Sequence, residues 1–119
     1  MKKDKTPYSD TNEVIILTTT DTLELAQGIA SALVEAREAA CINIISGVHS
    51  IYRWEGKAVS EGEFLLLIKS SAEKFEAVRS RIRLLHTYQV PEVIVLPIIS
   101  GDPDYLHWLR NELRSANDK

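Results

Sequence analysis

The chain has 119 residues, of which 45% are hydrophobic and 26% charged, the size and balance of one globular domain with too little chain for two. Its single cysteine, Cys41, excludes an intrachain disulfide scaffold and a Cys-x-x-Cys zinc site, and points to a reducing compartment. Seventeen acids against fourteen bases, with no basic block beyond Lys2 and Lys3, give a formal charge of -3 and argue against nucleic acid as a partner.

Residues 1–12 are polar, contain Pro7 and lack the apolar stretch of a secretory signal, so they read as a solvated arm ahead of one domain over residues 13–119. Glu13-Val-Ile-Ile-Leu-Thr-Thr is a short aliphatic and β-branched run, a strand buried on both faces. Asp21 with Glu24 then forms a capping-box pattern opening a helix to about Ala39, with Leu25, Ile29, Leu33 and Ala36 as its core stripe. Cys41 to Trp54 is β-branched and aromatic, a long second strand in which Gly47 marks a bulge or bend. After the turn residues Glu55-Gly56-Lys57, an extended run from Glu63 to Lys69 pairs back as an antiparallel hairpin.

Ser70 with Glu73 repeats the capping-box pattern, and Phe75, Val78, Ile82 and Leu85 step along a second amphipathic helix ending near His86. Glu92 to Ile99 is a fourth strand whose Pro97 requires an edge position or a bulge. Asp102 caps, with Pro103 at the first helical position, a last short helix carrying Tyr105, Leu106, Leu109 and Leu113. The order βαββαβ with an added α is the split β-α-β pattern of an α+β, ferredoxin-like fold, a four-stranded antiparallel sheet with two helices on one face. Strands one, three and four are apolar almost continuously, and no spare helix is long enough to cover the second face; a homo-oligomer of cyclic symmetry is therefore expected. The longest apolar run, Val93 to Ile99, is too short for a membrane span, so the expected location is cytoplasmic, without membrane contact.

Chemistry-bearing residues are sparse. Tyr52 and Trp54 share one face of the second strand, as interface anchors or as walls of a small-molecule cleft. His86, Tyr88, Pro91 and Glu92 cluster in the loop after the second helix, where a histidine serves as metal ligand, acid-base group or plain helix terminus. Glu63 and Lys69 end the third strand and could flank a cleft. Cys41 suits a small buried position, and His49 and His107 suit the surface. No glycine-rich phosphate loop, His-Glu-x-x-His or nucleophile elbow occurs, so no enzyme signature is present and no organic cofactor is indicated.

The segments Ala40-Cys41-Ile42-Asn43, Ser50 to Gly56, Leu67-Ile68-Lys69, His86 to Glu92 and Tyr105 to Leu109 resemble, in that order, the CutA family of divalent-cation tolerance proteins. The resemblance implies a ferredoxin-like subunit in a tight homotrimer with a PII-like sheet assembly, and a role in tolerance of divalent metal ions, copper foremost. It implies copper or another divalent cation held at His86. Thr18 stands where some relatives carry sulfur and Leu85 where some carry a second histidine, so imidazole ligation is what this chain retains. It further implies inter-subunit clefts lined by Asn43, Tyr52, Trp54, Glu63, Lys69, His86 and Tyr88. A PII-like signalling or scaffold trimer binding a small anionic metabolite or a protein partner in those clefts is the alternative, and a cleft enzyme with His86 as acid-base group and Lys69 as clamp comes third.

Overall fold

The structure is a computed structural model that describes residues 12–114; the arm expected over residues 1–12 lies outside the described residues except for Asn12. Among the described residues, four strands and three helices follow in the order β1 (Glu13–Thr20), α1 (Leu23–Glu35), β2 (Cys41–Trp54), β3 (Lys57–Ser71), α2 (Phe75–Leu85), β4 (Ile94–Pro97) and α3 (Pro103–Glu112), with a 3-10 turn, Ala72–Lys74, before α2. The sheet is antiparallel throughout, in the order β2-β3-β1-β4. This is the ferredoxin-like α+β arrangement expected from the element order.

One face of the sheet carries the core. Even-numbered residues of β1 and β3, among them Val14, Ile16, Leu66 and Ile68, meet Ala26, Ile29 and Leu33 of α1 and Val78 and Ile82 of α2. The α1 stripe is therefore Ala26, Ile29 and Leu33; Leu25 is only half-buried and Ala36 is exposed. The helix cap also sits one residue later than the capping-box pattern predicts: β1 runs to Thr20, Asp21 lies in the bend after it, and the Thr22 hydroxyl accepts from the Leu25 amide at 3.1 Å. The helix stops at Glu35 and not at Ala39. Arg37 turns left-handed, φ 59°, and the amides of Arg37 and Glu38 close on the carbonyls of Val34 and Leu33, a Schellman termination.

The Ser70–Glu73 capping box does not form. Ser70 stays within β3 instead, paired with Val14, its hydroxyl donating to the Glu38 carbonyl at 2.6 Å, and the 3-10 turn after Ser71 leads into α2. The bidentate Arg81–Glu38 pair, 2.6 and 3.0 Å, ties α2 to the loop after α1, and Glu38 raises the Arg81 pKa by hydrogen bond and charge. At the far end Asp102 accepts from the Tyr105 amide and Pro103 opens α3, as the sequence predicts.

Two strands differ from the sequence expectation. β3 begins at Lys57, six residues before Glu63, because the two-residue turn at Glu55 and Gly56, both left-handed at φ 52° and 83°, holds Trp54 opposite Lys57 and pairing starts at once. β4 is shorter, since Pro91 and Pro97 remove donors and only Ile94–Pro97 lies alongside β1, at the sheet edge. The 14- and 15-residue strands of the β2–β3 hairpin thus outrun the helices and project as an arm. The molecule is 52 Å long with a radius of gyration of 15.9 Å, against about 13 Å for a compact domain of this size.

The second face is covered at one end only. α3 buries Leu106 and Leu109, and Leu113 just past its end, apart from the main core, and its Arg110 meets the buried carboxylate of Glu13 at 3.1 Å. A short helix thus covers part of the face for which none was expected. Beyond it, Ile45, Ile94 and Leu96 remain more than two-fifths exposed.

Candidate functional site

The bulge in β2 decides what the second face presents. Between the pairs Ile45/Leu65 and Val48/Glu63, two residues of β2 stand against one of β3, and Gly47 takes φ 78°. Strand alternation is shifted by one: Cys41, Asn43 and Ile45 face the second side before the bulge, and Val48, Ser50, Tyr52 and Trp54 face it after. Both aromatic side chains are thereby brought to the face of Glu61 and Glu63. The loop after α2 closes over them, and a cleft of about 580 Å³ results, walled by Tyr52 and Trp54, by Glu61 and Glu63, and by Tyr88, Gln89, Val90 and Glu92, with Thr19 of β1 at its base.

Hydrogen bonds fix the loop. The Tyr88 hydroxyl donates to Glu63 Oε2 at 2.5 Å. Burial first, and then that carboxylate, push the Tyr88 pKa well above that of a free tyrosine, so the phenol stays a donor. The Tyr52 hydroxyl is also shifted upward, by desolvation and then by the neighbouring Glu61. Glu63 is 7% exposed, and its Oε1 makes no hydrogen bond among the described residues.

His86 sits behind this wall. Its ring centroid is 4.5 Å from that of Tyr88; Nδ1 accepts from the Tyr88 amide at 3.1 Å, so Nε2–H donates to the Thr19 carbonyl at 2.7 Å. Both ring nitrogens are engaged within the chain. Of the cleft residues expected from the sequence, Tyr52, Trp54, Glu63 and Tyr88 come together, with His86 holding Tyr88. Asn43 and Lys69 do not join them: they hydrogen-bond to each other, with Lys69 opposite both Ile15 and Cys41, and Lys69 lies six positions along β3 from Glu63, about 20 Å. Cys41 is half-buried beside Lys69. Thr18 is fully buried on the helix side, away from the cleft. Among the described residues no three His, Cys, Asp or Glu side chains gather as metal donors. Sequence reasoning missed Thr19 and Glu61 as lining residues, which the Val48–Glu63 register alone could have indicated, and Gln89 and Val90, which lie within a segment it did single out.

A ferredoxin-like sheet with a protruding hairpin and a cleft between that hairpin and the loop after α2 defines a class of small α+β sheet proteins. The profile of the family described as CutA1 divalent ion tolerance protein matches residues 14–112, and the chain belongs to that family. It is 48% identical over 98 residues to the divalent-cation tolerance protein CutA of Thermus thermophilus, covering 82% of this chain and 95% of that protein. Over 102 residues it is 39% identical to the chloroplastic protein CutA of Arabidopsis thaliana, covering 86% of this chain but only 56% of that one. Among solved structures, the Thermus protein superposes with a TM-score of 0.82 at 47% identity over 84% of this chain and 97% of that chain. The periplasmic divalent cation tolerance protein CutA of Archaeoglobus fulgidus superposes at 0.84 with 34% identity, over 86% and 99%. Relatives named for a plastid and for the periplasm mean that family membership does not assign the cytoplasm; no described helix is long and apolar enough to cross a membrane.

Proposed function

We propose that the protein serves divalent-cation tolerance as a homotrimer that binds a divalent cation, copper included, at the cleft beside the β2–β3 arm. The observation that carries this reading is the lining: Glu61, Glu63 and Glu92 are its charged side chains, with no lysine, arginine or histidine among them. Oxygen donors and negative potential suit a cation, and they make an anionic metabolite the poorer fit within one chain. Because one chain gathers no trio of donors among its described residues, the ligand set is completed by a neighbouring copy packed on the second face, whose exposed Ile45, Ile94 and Leu96 call for cover. His86 enters as a ligand through Nδ1 by giving up the Tyr88 amide, which couples metal binding to the loop that walls the cleft.

Calorimetric titration of Cu(II), then Zn(II), into tag-free reduced protein of checked trimeric mass tests the reading, with His86→Ala and Glu63→Gln in parallel. Saturation at a whole-number stoichiometry, weakened about tenfold or more in either variant, is the expected result. Heat that does not saturate, or that both variants leave unchanged, overturns it.

A further inference from the structure

We propose that the same cleft takes an aliphatic polyamine, its methylene chain against the rings of Tyr52, Trp54 and Tyr88 and its ammonium groups on the carboxylates of Glu63, Glu61 and Glu92. The proposal rests on the cleft being the ligand site, as above, and not on metal being its ligand. Glu63 is nine-tenths buried, is held by the Tyr88 hydroxyl through Oε2 alone, and leaves Oε1 without a donor. Oε1 is not closed off from solvent, so it can take a charged N–H donor from a ligand in the cleft. A bare metal ion needs four or more donors in a tight shell, and the described residues of one chain bring no three together. An alkyl ammonium needs one acceptor and an apolar wall, and both are present in a cavity of about 580 Å³. Trp54 and Tyr52 are each two-fifths or more exposed there, so their faces can meet methylene groups and ammonium heads. Three carboxylates with no basic neighbour in the lining favour a ligand with more than one positive charge over a simple amine.

The test is fluorescence titration of metal-stripped protein with spermidine at about 0.15 M salt, where diffuse attraction to an acidic surface is screened beyond roughly 8 Å. Trp108→Phe is the working background, because it leaves Trp54 as the sole indole of the chain's two. The neutral control is 1,8-octanediol, a chain of the same length. Expected is a saturable change with spermidine, about tenfold or more weaker with the diol, about tenfold weaker in Glu63→Gln, and altered less than about twofold in Glu35→Gln, an exposed acid outside the cleft. Equal binding of the diol, equal weakening by the two glutamine variants, or no saturable change overturns the proposal. If Glu63→Gln does not fold, the diol comparison and Glu61→Gln decide in its place. Saturable metal binding without spermidine binding strikes this proposal alone, and the reverse outcome strikes the divalent-cation reading alone.

Discussion

Glu13 is 1% exposed, yet it receives only one Arg110 nitrogen at 3.1 Å, and its Oε2 has no partner among the described residues. Removing that guanidinium leaves a buried carboxylate uncompensated, so Arg110→Met is expected to cost about 3 kcal/mol of stability, measured by denaturant unfolding. A loss within about 0.5 kcal/mol would show that α3 holds the end of the sheet by Leu106, Leu109 and Leu113 alone. Tyr88 supplies a second test at this scale. Its pKa is raised in the fold, so the folded protein holds that proton more tightly than the unfolded chain does. The contribution of the Tyr88–Glu63 contact is therefore full below about pH 10 and is lost as pH rises through the folded value. Ultraviolet titration of the tyrosines should show a late step that vanishes in Tyr88→Phe; simultaneous titration of every tyrosine would contradict the buried contact. Neither effect is legible in the sequence, where Glu13 is merely the first residue of a strand and Tyr88 one of several polar loop residues.

At the scale of elements, periodicity placed every helix and strand, and the errors fall where local signals compete. Asp21 and Thr22 are both good caps, and the strand pairing of Thr20 with Phe64 selects Thr22. Ser70 looks like a cap because it precedes an amphipathic run, but β1 pairing keeps it in β3. The hairpin turn carries a strain that the backbone reveals: Glu55 stands at a left-handed position that favours asparagine. Glu55→Asn should raise hairpin stability by about 0.5 to 1 kcal/mol, read as an upward shift in melting temperature. No shift, or a fall, would mean that Glu55 makes a compensating contact in the assembly. The bulge matters more for function. Gly47 was legible as a break, but its consequence, a one-residue shift that carries Tyr52 and Trp54 to the cleft side, depends on the register against Glu63 and Leu65.

For the whole molecule, the question is what meets the second face and the projecting arm. Ile94 and Leu96 flank Leu17 and Ile15 on that face and are nearly half exposed. An isolated chain would leave this apolar surface in water at roughly 25 cal/mol per Å². Leu96→Lys is accordingly expected to lower the assembled mass in light scattering at micromolar concentration, or to shift the association to concentrations at least tenfold higher. A monomeric wild-type mass would refute the trimer, and with it the completion of the cleft by a neighbour.

What the sequence determined by itself is what short-range physics controls: element type and order, the edge position forced by Pro97, the cap at Asp102, and an uncovered apolar face. Family resemblance carried by five short segments added the site region around His86. Only the tertiary structure decided that Glu63, Tyr52, Trp54 and Tyr88 converge while Asn43 and Lys69 stand about 13 and 20 Å from Glu63 along the same face. It also decided that His86 is locked between Thr19 and Tyr88. Those outcomes depend on strand register and on a loop folding back across the sheet, and register is set by long-range pairing that no local pattern encodes.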